Sequence, residues 1–308
     1  MNKWVHEDLV TDKKAEGLRV DRYISDVLRL FSRSQIRQRD VEVSVNGKPV
    51  KLSKVISLND RVTVRYAEPR EPDIAAEDIP LDIIFENSRA LVINKPQGMV
   101  VHPAAGNYSG TLVQALLYHV KQLRESFTDE PVRPGIVHRL DKETSGIIVA
   151  AKDPEALNKL AAQFARKKVH KIYLAVVKGH VQKLRGEVDY PIARDPHHRK
   201  RFTWKRQDGK SSLTRYRVVR YLQDATLLEL SPHTGRTHQL RVHMSSIGHP
   251  VLGDSLYGRK RGASDFTLLL HARRIMISLP GEECVRVFRA PLPEHFKEAL
   301  CILRRPET

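Results

Sequence analysis

The run His138-Arg139-Leu140-Asp141-Lys142-Glu143-Thr144-Ser145-Gly146 leads directly into the apolar stretch 147–151. The run is mostly polar, whereas the stretch after it has the continuous apolar character of a buried strand. It therefore places a carboxylate, Asp141, and a guanidinium, Arg139, at the mouth of a core strand. Such a pair is either a plain salt bridge or part of an active centre, and these residues alone leave both interpretations open.

Outward from this run, strand patterns outnumber helical patterns between residue 81 and residue 308. Strands are predicted over 90–94, 147–151, 172–177, 213–219, 226–230, 239–243 and 285–290. Helices are predicted over 111–120, 155–167 and 294–303. Because strands and helices do not alternate regularly, we expect an α+β fold with a large, mostly antiparallel mixed sheet flanked by helices and loops.

Residues 17–66 form a separate pattern. Apolar residues at 20, 23, 24, 27 and 28 predict one helix face, and Ser32 is a suitable N-cap for a second helix over 33–39. The second helix would expose Arg33, Arg37 and Arg39. Two alternating strands, 41–45 and 62–66, follow, with the turn dipeptide Asn46-Gly47 directly after the first. The segment resembles the S4 RNA-binding domain; the alternative is a generic α/β appendage.

These patterns divide the chain into three parts. We expect an S4-like RNA-binding domain over 1–76 with its core at 17–66, an acidic linker with three prolines over 67–80, and a second domain over 81–308. The N-terminus lacks the apolar core of a signal peptide, and no run approaches the length of a membrane span, which predicts a cytoplasmic protein without membrane attachment.

The charge balance is strongly basic. A net charge of +17 and a sequence pI near 9.9 favour a nucleic-acid partner over a merely solvated basic surface or an anionic lipid. The only cysteines, Cys284 and Cys301, lie in no metal-binding spacing. We interpret them as buried apolar fillers in a reducing compartment, which argues against a disulfide framework.

Three further runs in the second domain carry polar side chains next to core patterns. The loop 94–103 holds Lys95 and His102, and the strand 171–179 places Tyr173 on the same face as Ala175. If 237–244 is extended, Gln239, Arg241 and His243 share one face, opposite His238, Leu240 and Val242. A buried arginine needs a partner, and Asp141 is the candidate partner of Arg241.

Two other chemistries are weighed against these residues. His233, His238, His243 and His249 are close in sequence, but no cysteine or acid cluster accompanies them, so no metal site is predicted. Asp141-Lys142 followed by Thr144 is loosely similar to a phosphate-acceptor loop. That interpretation lacks the downstream acids that would hold magnesium.

Taken together, these runs resemble the RluA-type family of pseudouridine synthases from about residue 81 to residue 300. The resemblance implies that Asp141 is the catalytic aspartate, Tyr173 the tyrosine packed on the target base, and Arg241 the arginine paired with Asp141. It implies that Arg139 helps to expel the target nucleotide, and that no cofactor is required. The other residues assigned to RNA binding are His138, Arg236, His238, Gln239, Lys95, His102, Arg33, Arg37, Arg39, Arg199, Lys200 and Arg201.

The expected reaction releases uracil from C1′ of its ribose, turns it, and rejoins it through C5. The carboxylate can attack the sugar, attack the ring, or abstract a sugar proton, and the sequence does not choose among these routes. With its S4-like segment and the basic run 194–206, the chain most resembles the members of this family that act on a stem-loop of large-subunit ribosomal RNA. The resemblance implies that substrate, free or in an assembling particle, and we expect a monomer. The alternatives are a non-catalytic RNA-binding or ribosome-assembly factor on the same fold, and a basic aspartyl phosphotransferase.

Overall fold

A computed structural model describes residues 4–13, 15–28, 30, 36, 41–67, 74–104, 106–120, 135–258 and 266–304. The chain forms two compact units, Met1–Asp73 and Ile74–Thr308. The predicted second helix over 33–39, with its three arginines, lies outside the described residues apart from Ile36. Within the described part of the chain, no helix is long and apolar enough to cross a membrane.

The first unit contains a four-stranded antiparallel sheet in the order β1-β4-β2-β3. Its strands are β1 (Trp4–Val10), β2 (Val41–Val45), β3 (Lys48–Pro49) and β4 (Arg61–Ala67). The predicted turn is confirmed, because Asn46 and Gly47 both have positive φ, 51° and 78°, as a tight hairpin turn requires.

A helical segment over 20–27 packs on this sheet. Helix α1 (Val20–Arg22) continues as a π-helical turn, Tyr23–Val27. Val20 and Ile24 are fully buried on the same side of this segment, in one cluster with Val62 and Val64 of β4. The helical spacing of the apolar residues therefore gives the small unit its own hydrophobic core.

The second unit is built on a nine-stranded sheet in the order β5-β6-β7-β14-β8-β13-β12-β9, with β15 paired to β14. The pairing of β7 with β14 is parallel and the other described pairs of this sheet are antiparallel. The strands are β5 (Ile83–Glu86), β6 (Ala90–Lys95), β7 (Ser145–Ala151), β8 (His170–Lys178), β9 (Arg185–Asp189), β12 (Leu213–Leu222), β13 (Ala225–Pro232), β14 (Leu270–Ser278) and β15 (Val285–Arg289). The predicted α+β class with a mixed, mostly antiparallel sheet is confirmed.

In the described part of this unit, four helices and a short hairpin accompany the sheet. The helices are α2 (Leu112–His119), α3 (Pro154–Ala165), α4 (Gln239–Ser246) and α5 (Glu294–Ile302), and the hairpin pairs β10 (Ala193–Arg194) with β11 (Phe202–Thr203). The sequence predicted α2, α3 and α5. Residues 74–80 hydrogen-bond to this unit, since Glu77 N donates to Gln114 O at 3.1 Å and the Glu77 carboxylate accepts from Gly110 N at 2.8 Å.

The prediction of a strand over 239–243 was wrong, because these residues lie in α4. Their alternation of polar and apolar side chains also fits a short helix that is buried on all sides, and Gln239 to Met244 are all buried. Gln239 and His243 are four residues apart, so both reach Thr214 Oγ1, at 3.0 and 2.9 Å. The helix directs Arg241, two residues from each, to a different side.

The prediction that Cys284 and Cys301 are buried was also wrong, since both are exposed. A further strand, β14, was missed, although it is central to the sheet between β7 and β8. The adjacent charges of Arg273 and Arg274 interrupt its apolar pattern, and a register shift separates Ala272 from Arg274 in its pairing with β8. A bulge of this kind removes the strict alternation on which strand prediction depends.

β7 is the strand that carries the opening run into the core. All seven of its residues are buried, between antiparallel β6 and parallel β14. At its start, Gly146 has a φ of 109°, and a Cβ there would lie 2.4 Å from Ala272 O on β14. Only glycine permits this close approach of two backbones, so Gly146 fixes where the preceding polar loop leaves the sheet.

We expect Gly146→Ala to lower the free energy of unfolding by about 3 kcal/mol or more, because the new methyl group meets backbone and the φ is unfavourable for an L side chain. Urea denaturation of wild type and variant measures the difference. Gly235→Ala is the matched control, because no atom lies within 4 Å of a Cβ built there and its φ is not in the left-handed region. Equal stability of the two variants would contradict this account of Gly146.

Candidate active site

A cleft of about 440 Å³ opens where the loop before β7, strand β8 and the start of α4 meet. Its wall includes Asp141, Tyr173 and Arg241, the three side chains assigned to catalysis, together with Arg139 at its exposed edge. Residues that are far apart in sequence are thus brought together in one concave site. A cleft with a few convergent polar groups is the usual form of a small-molecule or nucleotide site.

Asp141 lies on a tight turn that is held from a neighbouring loop. Thr144 N donates to Asp141 O at 3.1 Å, closing the turn, and Gly98 N donates to Lys142 O at 2.9 Å. Gln97 Nε2 donates to Glu143 O at 2.8 Å. The loop after β6 therefore fixes the backbone on both residues that follow Asp141.

Lys95 is part of the same clamp and was wrongly assigned to RNA binding. Its side chain has no exposed surface, and Nζ donates to Pro96 O at 2.8 Å and to Met99 O at 2.9 Å. A third, longer contact reaches Lys142 O at 3.3 Å. Burial lowers the pKa of Lys95 to about 8, although the negative charges of Glu143 and Asp141 act to raise it. The ammonium group donates its hydrogen bonds within the fold and has no exposed surface with which to contact a phosphate.

Arg241 was expected to pair with Asp141, but its tightest partner is Asp254. Nε and Nη2 of Arg241 lie 2.7 and 2.8 Å from the two oxygens of Asp254, a bidentate pair, whereas Nη1 lies 3.7 Å from Asp141 Oδ2. Asp254 Oδ1 also accepts from the backbone N–H groups of Leu256 and Tyr257. Asp254 thus holds Arg241 rigidly, and the free edge of the guanidinium is directed at Asp141.

Tyr173 lies on β8 between Ala272 of β14 and Leu230 of β13. Burial, with a smaller contribution from the charge of Asp141, raises the pKa of Tyr173 above its usual value. The phenol is therefore neutral at physiological pH. A neutral aromatic ring in the wall of the cleft is suited to packing against a base.

His238 lies at the junction of the cleft with the β10–β11 hairpin. Its Nε2 is 3.9 Å from Asp141 Oδ2, and its Nδ1 is 2.9 Å from the Tyr257 hydroxyl. The ring makes edge contacts with Phe202 and Tyr257, with centroids 5.5 and 5.7 Å away. Burial lowers the pKa of His238. The charge of Asp141 raises this pKa and the charge of Arg241 lowers it, and each effect is smaller than that of burial. This histidine therefore lines the cleft close to Asp141.

Two more residues assigned to RNA binding line the cleft and also make contacts within the fold. His138 Nε2 accepts the N–H of Val149 at 2.9 Å, and its ring stacks on Phe164 with centroids 4.6 Å apart. Burial lowers the pKa of His138 to about 3, so the ring is neutral. Gln239 is buried and donates to Leu213 O and Thr214 Oγ1, both at 3.0 Å. His102, half-buried, does not line the cleft, and its Nδ1 lies 2.9 Å from Pro103 O.

A second cleft of about 530 Å³ adjoins the first, and the segment 235–237 lines both. Its other lining residues include Arg194, Arg206 and Lys210. The loop that joins β10 to β11 carries Arg199 and Lys200, both exposed, and Arg201, whose guanidinium lies 5.4 Å from the centre of the Tyr257 ring. The basic run 194–206 therefore lies beside the first cleft.

Two more of the histidines considered for a metal have other partners. His243 contacts Thr214 Oγ1, and His249 Nδ1 lies 2.9 Å from Lys178 O. Among the described residues, no group of three or more His, Cys, Asp or Glu side chains is arranged to hold a metal ion.

Comparison with known proteins identifies the family of this chain. A family model described as RNA pseudouridylate synthase matches residues 89–246. A ribosomal large subunit pseudouridine synthase D from Borreliella burgdorferi is 41% identical over 290 residues, covering 92% of this chain and 89% of that protein. An uncharacterized RNA pseudouridine synthase from Aquifex aeolicus is 47% identical over 303 residues, covering 94% of this chain and 95% of its own. The chain belongs to the RNA pseudouridylate synthase family.

Solved structures of pseudouridylate synthases agree with this assignment. The human RNA pseudouridylate synthase domain containing 1 is 27% identical, with a TM-score of 0.58, and the match covers 78% of this chain and all of that one. A second human protein, RNA pseudouridylate synthase domain containing 4, matches with a TM-score of 0.56 at 26% identity. The resemblance carried by residues 138–146 is thereby confirmed: the chain is an isomerase of the pseudouridine synthase type.

Several residues of the synthase site had no role in the sequence-based prediction. Asp254, Tyr257 and Phe202 surround Arg241 and His238, but nothing in their local sequence indicates these contacts. Asp254 and Tyr257 lie within the part of the chain, about 81–300, that resembles the family, but the resemblance implied no role for them. In the structure Asp254 accepts from Tyr257 N at 3.0 Å and from Arg241.

Proposed function

We propose that this synthase converts uridines of large-subunit ribosomal RNA to pseudouridine, with Asp141 as the catalytic group. The observation that carries the proposal is the position of Asp141 in the 440 Å³ cleft, with Tyr173 in the wall and the Arg241 guanidinium 3.7 Å from its carboxylate. The ribosomal substrate is supported by the relative from Borreliella burgdorferi, whose name specifies the ribosomal large subunit.

The geometry suits an isomerisation without net redox change. The bond from N1 of the base to C1′ breaks, a bond from C5 to C1′ forms, C5 loses a proton and N1 gains one. A carboxylate can start this by attacking C1′, attacking the ring, or removing a sugar proton, and all three routes need it beside the glycosidic bond. Arg241, held by Asp254, orients the carboxylate, and the neutral Tyr173 ring packs on the uracil.

The target must leave the RNA stack to reach Asp141, because C1′ and C5 are not accessible inside a folded stem-loop. We propose that exposed Arg139, two residues from Asp141 at the edge of the cleft, takes the place of the extruded nucleotide. The adjoining cleft lined by Arg194, Arg206 and Lys210 then receives the neighbouring backbone, whose phosphates favour cations.

The first unit is proposed to be an S4-like RNA-binding domain that extends the footprint along the RNA. We expect simultaneous replacement of Arg33, Arg37 and Arg39 by Gln to weaken binding and to flatten its salt dependence. The slope of log K against log salt should fall by about 0.7 to 0.9 for each phosphate contact that is lost. Filter binding of a ribosomal stem-loop at several salt concentrations measures this, and an unchanged slope would show that these arginines do not contact phosphate.

The remaining assignments follow from this function. We propose that the enzyme acts as a monomer in the cytoplasm, on ribosomal RNA as a stem-loop or within an assembling large-subunit particle. No cofactor enters the proposed reaction, since every bond change is an acid–base or nucleophilic step. The alternative of a non-catalytic RNA-binding protein on the same fold predicts tight binding of the same RNA without conversion.

Tritium release separates these alternatives. In RNA made with uridine labelled with tritium at C5, each pseudouridine formed releases one tritium into water, because C5 gives up its hydrogen. We expect the purified full-length protein to release tritium from large-subunit ribosomal RNA in amounts equivalent to whole uridine sites. Binding of the RNA without release would overturn the proposed catalytic function.

A further inference from the structure

His238 has a backbone conformation that few non-glycine residues adopt. Its φ is 56°, in the left-handed region, at the residue directly before α4. Such strain persists only where surrounding contacts impose it, and it is frequent at functional sites. The contacts here are made by the two ring nitrogens, since Nδ1 meets the Tyr257 hydroxyl at 2.9 Å and Nε2 is 3.9 Å from Asp141 Oδ2.

The hydrogen bonds around Tyr257 favour one position for the ring proton of His238. The Tyr257 oxygen accepts the backbone N–H of Phe202 at 2.8 Å, so the hydroxyl proton remains to be donated. Among the described residues, His238 Nδ1 is the acceptor in hydrogen-bond contact with it. A neutral imidazole has one donor nitrogen and one acceptor nitrogen, so accepting at Nδ1 leaves the proton on Nε2. Burial, which lowers the pKa of His238, favours that neutral ring.

The Nε2–H of His238 therefore approaches the same carboxylate oxygen as Arg241. Nε2 of His238 and Nη1 of Arg241 lie 3.9 and 3.7 Å from Asp141 Oδ2. Hydrogen bonds and ion pairs of the described residues do not engage the other oxygen, Oδ1. Catalytic contacts of this length commonly shorten when substrate binds. Two donors on one oxygen leave the other oxygen of Asp141 for the reaction.

We propose that His238 is a positioning residue for Asp141, locked by Tyr257 in its Nε2–H tautomer so that Oδ2 is held and Oδ1 is presented to the uridine. The inference rests on the proposed function, because it assigns Asp141 the reacting carboxylate. It adds a chain of donors, from Phe202 N–H through the Tyr257 hydroxyl to His238, that starts at the β10–β11 hairpin. It also replaces the RNA-binding role first assigned to His238.

The tautomer is measurable in the wild-type protein without RNA. Long-range ¹H–¹⁵N correlation spectra of protein labelled with ¹⁵N-histidine distinguish protonated from unprotonated ring nitrogens, and loss of one signal set in His238→Gln identifies His238. We expect Nε2 protonated and Nδ1 unprotonated. Tyr257→Phe keeps the aromatic contacts but lacks the hydroxyl, so His238 should then populate both tautomers. A proton on Nδ1 in wild type, or an unchanged tautomer in Tyr257→Phe, would overturn the proposal.

Single-turnover conversion of RNA tests the consequence for Asp141. His238→Phe keeps a ring against Phe202 and Tyr257 but lacks an N–H, whereas His238→Gln can present an N–H at a similar distance. We expect His238→Phe to slow conversion by about 10- to 100-fold with the Kd for RNA within about twofold, and His238→Gln to recover most of the rate. Equal rates for wild type and His238→Phe would contradict positioning, as would a His238→Gln variant as slow as His238→Phe.

These measurements keep the two proposals apart. If wild-type protein binds RNA but forms no pseudouridine, the proposed function fails, and the tautomer spectrum still reports whether the chain of donors exists. If wild type is active and only the His238 results fail, the catalytic assignment of Asp141 stands and the positioning role does not.

Discussion

Asp141→Asn is expected to lower the rate of pseudouridine formation by about 10⁴-fold or more, because an amide can neither attack a carbon centre nor accept a proton as the carboxylate does. The side chain keeps its size, and Arg241 remains held by Asp254 through the bonds at 2.7 and 2.8 Å. RNA affinity should therefore stay within a few-fold of wild type. Tritium release under single-turnover conditions measures the rate, and filter binding measures the affinity.

The matched control is Glu143→Gln, which removes one negative charge from the same turn. Glu143 contributes its backbone carbonyl to the contact with Gln97, and that contact survives the substitution. A rate within a few-fold of wild type is expected. If both variants lose activity equally, the loss reflects the charge or the folding of the turn, and the assignment of Asp141 as the reacting group is contradicted.

Asp254→Ala is expected to lower the free energy of unfolding by about 3–5 kcal/mol, because it leaves the guanidinium of Arg241 buried without its partner. The side chains of Arg241 and Asp254 are only 5% and 0% exposed. Activity should fall as well, since the guanidinium directed at Asp141 is no longer held. Urea denaturation measures the stability. Single-turnover assays without denaturant, at a temperature at which the variant is folded, measure the rate.

The pair Arg215–Glu187 is the control for this prediction. Arg215 Nε lies 2.6 Å from Glu187 Oε1, a distance similar to that in the buried pair. The two side chains, on strands β12 and β9, are however 55% and 53% exposed. Solvent screens such a pair, so Glu187→Ala should change stability by no more than about 1 kcal/mol. If Asp254→Ala cost no more than Glu187→Ala, the proposed role of Asp254 as the anchor of Arg241 would be contradicted.

The parts of the site that the sequence predicted are those encoded by local runs. The polar run ending at Gly146 and the apolar strand after it lie together in sequence, so Asp141 at the mouth of β7 follows from the pattern alone. Tyr173 lies on β8 as predicted, because the short apolar run that contains it is typical of a buried strand. Both predictions depend on residues that are neighbours in the chain.

The parts that were missed depend on contacts between distant segments. The alternating residues 239–244 fit a strand, but they lie in a helix that is buried on every side. The local sequence does not show that both the polar and the apolar side chains are buried. Lys95 is a lysine with no exposed surface, held by three carbonyl oxygens that only the folded loops bring together. Asp254 likewise becomes the partner of Arg241 through tertiary structure, which is why the sequence assigned that place to Asp141.

The most direct test is the map of pseudouridines in ribosomal RNA from cells that lack this protein, complemented with wild type or with Asp141→Asn at equal protein levels. The account predicts that specific large-subunit pseudouridines are absent without the protein, return with wild type, and stay absent with Asp141→Asn. An unchanged map without the protein, or full restoration by Asp141→Asn, would contradict it.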